Sequence, residues 1–543
     1  MVPGAPTPLS PSTPTRTGRA RRAAGLGLAA TAGAVALAFG VPRLPGGPDV
    51  YAHLLWAWQA AHCLGEGALP LWLPDLNAGF GSPGIRLYSP LGPTTTGLLG
   101  LGLGEIGRGM RAALALVPLA LWLAVRCRRG GRAGLEWLLL ALSPIAAYSL
   151  LGRAAVSEFL ALPLAYWLLD RAVAGRPVPT ADGPALAALW LLHAPTAALV
   201  GGVAAAALLA RRDRGLWTGA LGAGVAAAGL TAWHWLPLAA ELDLVAPRAA
   251  LTGGIFATAR NVLGAAHPHA PADNAWLAVV AVAWLGAALI ARSWRPERLR
   301  TLLAAGCLLL ASPLALPLWR VESPLAFLQF PWRFLLPATL LLAPALAATP
   351  SWPRRAAASV VALLPLLAAP FPAPVADPGL RADTPWEQAG AAVNAALGGS
   401  PFLVDVPEHR PPAFAHLAGA IERFGGRRVA VVPAGEGVVE RWQPLRREVS
   451  VRAATPALVE FRLLDYPFWR VTVDGVEAAR QRGAGVVAVV VPAGAHRVEA
   501  RWRGNPRARV GQATALATAA LLAAVVLLRR RARPVRSARE GAA

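Results

Sequence analysis

The chain has 543 residues, of which 55% are hydrophobic and 15% are charged, and its mean hydropathy is +0.47. This composition is more apolar than a soluble protein of this size needs, and it excludes disorder over most of the length. The formal net charge is +23, yet all 52 basic residues are arginines, which stand in short runs beside apolar segments. Such runs are typical of topology signals in a polytopic membrane protein rather than of nucleic-acid binding.

Apolar stretches of about 17 to 25 residues predict the membrane spans. The first, 23–42, follows a Pro-, Ser- and Thr-rich tail and lacks the small-residue cleavage pattern of a signal peptide, so we expect a span there. The other stretches lie at 109–126, 134–151, 156–174, 183–210, 216–238, 275–292, 300–318, 332–349, 354–371 and 511–528.

The arginine runs orient these spans, because arginine-rich short loops stay in the cytoplasm. All the runs lie on the cytoplasmic side only if the stretch 183–210 forms two short helices. The runs that decide this are Arg16–Arg22, Arg126–Arg132 and Arg529–Arg531. Proline cannot continue a helix, so the break is expected within His193–Thr196, at the outer face. This solution gives about twelve spans.

An alternative topology uses 89–105 as a span and keeps 183–210 as one helix. It places the arginine run Arg126–Arg132 on the extracytoplasmic side, against the orientation rule. Both solutions place 372–510 on the extracytoplasmic side of the bacterial inner membrane. The predicted fold is therefore a polytopic α-helical membrane protein with an extracytoplasmic antiparallel β domain before the last span. The predicted regions are a disordered cytoplasmic tail 1–22, a transmembrane domain 23–371 with an outer loop 43–108, an α/β segment 372–440, a β-sandwich-like domain 441–510, a last helix 511–528 and a basic cytoplasmic tail 529–543.

The β domain is predicted from short runs that are apolar or alternate with polar residues. Asp474-Gly475 is a strong hairpin signal, and Pro492–Gly494 marks a second turn. The predicted strands are Arg447–Arg452, Leu458–Leu464, Trp469–Val473, Val486–Val491 and His496–Trp502.

Candidate chemistry begins in the outer loop 43–108, because ordered loops of this length usually carry function. Asp49 follows Gly46-Gly47-Pro48 and begins a predicted helix in which Asp49 and His53 share one face. Leu54, Leu55 and Trp58 suit a helix lying along the membrane surface. The alternative is an acid that meets the helix dipole beside a surface histidine.

Several segments together resemble a known family. They match the signature of bacterial YfhO-like membrane proteins, which overlap the family called 6-pyruvoyl-tetrahydropterin-synthase-related membrane proteins. That family resembles the glycosyltransferase C (GT-C) superfamily, whose members transfer sugar from a polyprenyl-phosphate donor at the outer face of the membrane. The resemblance covers nearly the whole chain and is weakest over 216–320. The matching segments are Asp49–His53, Pro70–Trp72, Gly79–Pro83, Tyr88–Pro90, Ala154–Leu160, Leu328–Phe334, Asp465–Gly475 and Pro492–His496.

The resemblance implies a GT-C-like fold, and the predicted topology brings the polar residues of these segments to the outer face. Asp49 is expected to be the catalytic base, with His53 beside it. Glu158 is expected to act as a second acid, either assisting Asp49 or holding with it a divalent cation such as Mg²⁺ or Mn²⁺. Arg333, or else Arg153, would meet the lipid phosphate. The remaining candidates for substrate binding are Gln329, His193 and Tyr88.

These residues also have structural alternatives. Glu158 suits a helix start, Arg333 an interface anchor and His193 a turn. His267-Pro268-His269 with Asp273 is a weak metal motif, and Asp474 is expected to be a hairpin residue rather than a catalytic one.

The sequence therefore predicts an inverting membrane glycosyltransferase that moves a sugar from a polyprenyl-phosphate carrier to a cell-envelope glycan or glycolipid acceptor. The lipid bilayer is its other expected partner, and no nucleic-acid motif is present. A transporter or flippase for lipid-linked sugars is a second hypothesis, but it would favour ionisable residues at mid-membrane depth. A third is a non-catalytic protein of envelope-polymer assembly.

Overall fold

The structure, a computed structural model, describes residues 32, 42–129, 133–245, 257–265, 271–295, 297–320, 328–398, 402–406, 410–481 and 485–531. The predicted N-terminal tail, nearly all of the predicted first span 23–42, the His267–His269 pair and most of the C-terminal tail lie outside these residues.

Helices make up most of the described chain up to residue 363, where apolar runs are separated by Pro, Gly and polar residues. The α-helices of eight or more residues in the whole described chain are α1 (Val50–Gly65), α2 (Leu91–Leu103), α3 (Ile106–Arg129), α4 (Ala133–Ala141), α5 (Val156–Val173), α6 (Pro179–Leu192), α7 (Ala194–Arg211), α8 (Arg214–Leu230), α9 (Ala232–Glu241), α10 (Pro271–Ala291), α11 (Arg298–Ala311), α12 (Leu335–Ala347), α13 (Trp352–Leu363), α14 (Trp386–Leu397), α15 (Leu417–Phe424) and α16 (Pro506–Arg531).

Within the described residues, four helices are long and apolar enough to cross a membrane: α3, α7, α10 and α16. The number rises to seven if each of three bent helix pairs counts as one span. The bends are 42° after Ala141, 70° after Leu230 and 75° after Ala311. The chain is thus a membrane protein, as its composition predicts, while the count of about twelve spans stays a prediction.

The stretch 183–210 is divided at His193. α6 ends at Leu192 and α7 begins at Ala194, and His193 between them has extended backbone angles (φ −158°, ψ 94°). The two helices therefore meet at the first residue of the segment His193–Thr196, within which the sequence predicts the break. The stretch 89–105, the span of the alternative topology, forms α2, whose 13 residues are fewer than the roughly 20 that a spanning helix needs.

Helix α1 differs from the expected surface helix. Leu54, Leu55 and Trp58, assigned above to a membrane surface, are at most 1% exposed and belong to the main hydrophobic core. A helix lying at an interface keeps one polar face in solvent, whereas α1 is enclosed by protein on nearly all sides. Its apolar and tryptophan-rich side chains therefore pack in the protein core and do not lie at a membrane surface.

The strands of the described chain are short and lie mostly in its C-terminal part. They are β1 (Arg43–Leu44), β2 (Val375–Ala376), β3 (Val429–Val432), β4 (Glu436–Gln443), β5 (Arg446–Ala453), β6 (Ala457–Leu464), β7 (Trp469–Val473), β8 (Val476–Glu477), β9 (Val486–Val491) and β10 (Gly494–Trp502).

The C-terminal β domain consists of two antiparallel sheets. One has the strand order β4-β5-β10-β7-β8 and the other has the order β3-β6-β9. Asp474 and Gly475 both have positive φ (50° and 82°) in the turn between β7 and β8, as a type I′ hairpin requires. The predicted hairpin signal is therefore confirmed at these two residues.

The sheets begin earlier than expected. The predicted domain starts at residue 441, but β3 and most of β4 precede that position and pair with β6 and β5. Helix α15 also packs into the core of this domain through Leu417, Ala420 and Phe424. The β domain therefore takes up part of the predicted α/β segment.

The predicted outer loop 43–108, which we call the first loop, is joined to the C-terminal half of the chain. β1 pairs with β2. The backbone N–H groups of Asn77 and Ala78 donate to the carbonyls of Leu403 and Phe402 at 3.0 and 2.6 Å. The core of the β domain also includes the side chains of Trp72 and Phe80 from the first loop. These contacts attach the segments on both sides of α1 to the C-terminal half of the chain.

Candidate functional site

Asp49 lies just before α1, in a turn that packs tightly against the segment around Arg153. Its backbone N–H donates to the carbonyl of Arg153 at 2.9 Å. A Cβ added to Gly47 would lie 2.0 Å from the carbonyl carbon of Arg153, so only glycine permits this approach. On the other side, Ala154 has φ of 56°, which turns the chain sharply between Arg153 and α5.

The guanidinium of Arg153 lies between two carboxylates. Its Nη2 is 2.5 Å from Oδ2 of Asp49, and its Nη1 is 3.1 Å from Oε2 of Glu158. The side chain of Asp49 is 33% exposed, whereas that of Glu158 is 4% exposed. Asp49 is therefore the carboxylate that solvent or a substrate can reach.

Glu158 occupies the first turn of α5 and accepts hydrogen bonds from two sides. The Ser149 hydroxyl donates to its Oε1 at 2.6 Å, and Arg153 donates to its Oε2. Nε2 of His193 and Nε of Arg333 also lie 3.8 and 3.9 Å from Oε2. Because a buried carboxylate must be paired, these contacts explain how Glu158 is tolerated inside the protein, in addition to its place at a helix start.

The five residues Asp49, Arg153, Glu158, His193 and Arg333 thus form one group, which we call the ion cluster. They come from the first loop, the turn before α5, α5 itself, the α6–α7 break and the segment before α12. The sequence predicted one membrane face for Asp49, Glu158, His193 and Arg333 and named Arg153 only as the second choice for a phosphate ligand. The structure brings all five together. Which membrane face the cluster occupies stays a prediction.

His193 has a structural part in the cluster as well as an electrostatic one. Its Nδ1 accepts the backbone N–H of Thr196 at 3.3 Å and so caps α7, and it lies 2.7 Å from the Thr196 hydroxyl. Since Nδ1 is an acceptor, a neutral His193 carries its proton on Nε2, the atom that faces Glu158. The expected turn residue therefore also presents an N–H group to the buried carboxylate.

Arg333 is 5% exposed, which contradicts the alternative of an interface anchor. Its Nη1 donates to the carbonyl of Leu328 at 2.8 Å, and its guanidinium stacks 4.7 Å from the ring centre of Phe330. Its Nε has no hydrogen-bond partner among the described residues. A buried cation with an unused N–H group is the kind of donor that can meet an anionic group.

Aromatic rings line the cluster beside these charges. Tyr88 packs edge-on to His193 at 5.9 Å and tilted against Trp56 at 5.8 Å. His53 packs edge-on against Trp56 at 5.7 Å. Burial lowers the pKa of His53 to about 4 and raises the pKa of Tyr88, so both are uncharged at neutral pH. The cluster therefore adjoins an apolar wall that strengthens its electrostatic interactions.

Asp49 and Glu158 were expected to hold a divalent cation together, and Arg153 occupies the position between their carboxylates. No group of three or more His, Cys, Asp or Glu side chains that could hold a metal ion occurs in the described part of the chain. Asp273 of the weak metal motif accepts a hydrogen bond from the Tyr148 hydroxyl at 2.9 Å. The divalent cation stays a prediction.

Sequence reasoning missed some members of the site. Ser149 belongs to a wide helical turn, Tyr148–Gly152, that places its hydroxyl on Glu158. Arg153 was predicted only as a secondary phosphate ligand, although it contacts both acids. Gln329 adopts φ of 60°, so the Gln-Phe-Pro-Trp-Arg run begins with a backbone bend. A serine nine residues before Glu158 carries no pattern that would have identified its contact.

No family model matches the chain, and no curated protein matches it. Among solved structures, the arabinofuranosyltransferase AftD from Mycobacteria is similar over 66% of this chain, with 22% sequence identity and a TM-score of 0.42. The matched region spans 26% of the AftD chain. The resemblance to YfhO-like proteins stays a prediction.

Proposed function

We propose that the chain is a membrane glycosyltransferase that transfers a sugar from a polyprenyl-phosphate donor to an acceptor of the cell envelope. One observation carries the proposal: a partly exposed carboxylate, Asp49, is held by a guanidinium within a cluster that includes a second, buried guanidinium. Sugar transfer from a lipid phosphate needs a base for the acceptor hydroxyl and positive charge for the leaving phosphate. The ion cluster supplies both kinds of group.

In the proposed reaction, Asp49 takes the proton of the acceptor hydroxyl. The hydroxyl oxygen forms a bond to the anomeric carbon of the donor sugar on the face opposite the phosphate. The bond between that carbon and the phosphate oxygen breaks, and its electron pair stays on the lipid phosphate. A single displacement of this kind inverts the anomeric configuration.

The other residues of the cluster have distinct proposed roles. Arg153 holds Asp49 in place, and together with Arg333 it offers charge to the leaving phosphate. Glu158 is 4% exposed and already accepts from Ser149 and Arg153, so it acts as a positioning residue that keeps the cationic groups together. The guanidinium groups also provide the charge that a divalent cation would supply, while Asp49 and Glu158 remain the candidate ligands if one is required.

The test is transfer of radiolabelled sugar from polyprenyl-phosphate donors to endogenous acceptors in membranes that contain the full chain. Asp49→Asn is expected to abolish transfer, because the amide cannot accept the proton. Glu66→Gln is the matched control, since Glu66 is an exposed acid just after the same helix, outside the cluster. Parallel assays with EDTA decide whether a divalent cation takes part.

The opposite results would also be informative. If no donor supports transfer, or if Asp49→Asn transfers as well as wild type at matched expression, the enzyme proposal is wrong. Movement of the lipid-linked sugar between leaflets without transfer would favour the flippase hypothesis. Neither activity, together with loss of an envelope polymer in a deletion strain, would favour an assembly protein.

A further inference from the structure

The opposite end of α5 from Glu158 contains a second concentration of charge. Glu158 and Asp170 lie in the first and last turns of this helix. Their separation of twelve positions corresponds to about 18 Å along the helix axis. The residues around Asp170 therefore form a site separate from the ion cluster.

Asp170 is 1% exposed and accepts from three arginines. Nε of Arg128, Nη2 of Arg129 and Nη2 of Arg300 lie 2.6, 2.6 and 2.5 Å from its oxygens. Arg129 also pairs with Glu136 at 3.0 Å. This buried network holds the ends of α3, α5 and α11 together.

A cavity of about 300 Å³ opens beside the network. This volume is at the lower end of the roughly 300 to 1,000 Å³ of small-molecule pockets. Its polar lining is dominated by guanidinium groups. The lining residues are Arg129, Val173, Ala174, Arg211, Glu297, Arg298, Leu299 and Arg300.

The charges around the cavity do not balance within the described part of the chain. Arg128, Arg129 and Arg300 are offset by Asp170, Glu136 and Glu297, which leaves two further arginines that line the cavity, Arg211 and Arg298. Arg298 is exposed, and Arg211 donates to the backbone carbonyl of Val173 rather than to an acid. The cavity therefore carries a surplus of positive charge.

Arg300 adds a third type of cation to the cavity, one that is buried in its wall. It is 4% exposed, its Nε pairs with Glu297 at 3.1 Å and its Nη2 with Asp170. Its Nη1 is buried and has no hydrogen-bond partner among the described residues. Buried polar groups are normally satisfied, so Arg300 is an incompletely paired cation in the wall of the cavity.

We propose that this cavity binds a phosphate group. Phosphate oxygens can accept from the exposed guanidinium groups of Arg298 and Arg211, and a guanidinium forks onto such oxygens. The cavity also lies where α11 begins, and the first N–H groups of a helix favour anions. The binding site is distinct from the ion cluster, and the proposal does not depend on sugar transfer.

The phosphate can come from an anionic lipid or from solution. The helices that form the cavity end there in arginine runs, and basic pockets between the ends of spanning helices bind anionic lipid headgroups. We therefore expect a phospholipid headgroup to be the preferred source. The two sources share the same contacts and are separated by experiment.

The test uses the purified full chain in two arms. In one, the midpoint of thermal unfolding is followed by tryptophan fluorescence as inorganic phosphate replaces chloride at matched ionic strength. In the other, native mass spectrometry counts phosphatidylglycerol and phosphatidylcholine retained by the protein. Arg298→Gln removes an exposed cavity cation without disturbing the Asp170 network. Arg295→Gln is the matched control, because Arg295 is an exposed arginine of the preceding turn that does not line the cavity.

We expect preferential retention of phosphatidylglycerol, and about tenfold weaker binding in Arg298→Gln but not in Arg295→Gln, as loss of one charge-assisted hydrogen bond implies. Retention of phosphatidylglycerol without a higher unfolding midpoint in inorganic phosphate assigns the site to a lipid headgroup. Stabilisation by inorganic phosphate as well supports the same site with free anion as a ligand. The proposal fails if inorganic phosphate does not raise the unfolding midpoint above that in chloride and phosphatidylglycerol is not retained in preference to phosphatidylcholine, or if Arg298→Gln binds as wild type does.

Discussion

Asp49 and Arg153, which are 104 positions apart in the sequence, are joined twice. The backbone N–H of Asp49 donates to the carbonyl of Arg153 at 2.9 Å, and the Arg153 guanidinium is 2.5 Å from the Asp49 carboxylate. The backbone contact fixes the distance between the two segments, while the ionic contact fixes the orientation of the acid. The proposed base is therefore held by the partner that also contacts Glu158.

Replacing Arg153 with glutamine is expected to destabilise the protein strongly. The change leaves the buried Glu158 without its closest cation, and breaking a buried pair costs about 3–5 kcal/mol. Arg153→Lys should have an intermediate effect, because one ammonium keeps the charge but cannot fork to both carboxylates. The measurement is thermal unfolding of the purified protein in detergent.

Arg381→Gln is a suitable control, since the Arg381 side chain is 67% exposed and pairs only with a neighbouring surface acid in the described contacts. It should leave the unfolding midpoint almost unchanged. Equal midpoints for Arg153→Gln and wild type would contradict the structural role assigned to Arg153.

Asp405 is expected to anchor the first loop. Its Oδ1 accepts from the indole N–H of Trp56 at 3.0 Å, and its Oδ2 accepts from the hydroxyl of Ser82. Asp405→Ala should cost about 1–3 kcal/mol for each buried donor left without an acceptor. Hydrogen exchange should then accelerate at the backbone amides of residues 77–84.

The conservative variant Asp405→Asn should lose less stability than Asp405→Ala, because its amide oxygen still accepts from Trp56 and its N–H can donate to Ser82. Asp383→Asn serves as the control, as the Asp383 side chain is 81% exposed. Unchanged exchange at residues 77–84 in Asp405→Ala would show that the loop is held by other contacts.

His53 predicts a pH dependence of stability. Burial lowers its pKa in the folded protein to about 4, against an ordinary value of 6.5. Between these two pKa values the unfolded chain binds a proton at His53 and the folded chain does not. The free energy of unfolding therefore falls as the pH drops from about 6.5 towards 4. The slope contributed by one such group approaches about 1.4 kcal/mol per pH unit.

Chemical denaturation at a series of pH values measures this slope, and His53→Gln should remove it. The neutral amide cannot take up the proton, so the variant should show a flatter profile between the two pKa values of His53. A profile as steep as that of wild type would assign the slope to other groups.

His496 and Asp474 form an exposed pair in the β domain, with Nδ1 of His496 2.8 Å from Oδ2 of Asp474. The hydrogen bond to Asp474 raises the pKa of His496, and hydrogen bonds from the backbone N–H of Arg497 and from His496 lower the pKa of Asp474. NMR titration of labelled histidine should give a pKa of His496 above the ordinary value of 6.5 in wild type and a lower one in Asp474→Asn. The contribution of this pair to stability through His496 is present at low pH and is lost as the pH rises through the pKa of His496. Identical titration curves for both proteins would exclude the pairing in solution.

Local sequence signals predicted the elements whose structure is decided locally. Pro195 cannot continue a helix, and the helix break lies at His193. The Asp474-Gly475 pair favours a type I′ turn, and the strands on either side of it form the expected hairpin. In both places the backbone preference of one or two residues determines the local structure, so the sequence alone is enough to predict it.

Contacts between distant segments were not predictable in the same way. Trp58 looks like an interfacial residue because its sequence neighbours are apolar, yet it is 0% exposed and belongs to the main hydrophobic core. β3 and β4 were missed because β3 has only four residues and β4 contains a glycine and several charged side chains, so that each depends on its partner strand. The acids and cations of the ion cluster were found individually, but the bridging position of Arg153 depends on tertiary packing.

The dependence of the first loop on residues 402–406 also bears on how the protein is made. Trp56 is 349 positions ahead of Asp405, its hydrogen-bond acceptor. At a synthesis rate of about 5–20 residues per second, the ribosome needs roughly 20 to 70 s to add that much chain. During this interval the nascent loop that carries Asp49 lacks its final acceptors, so a truncated product ending before residue 402 would present an incompletely packed loop to cellular proteases.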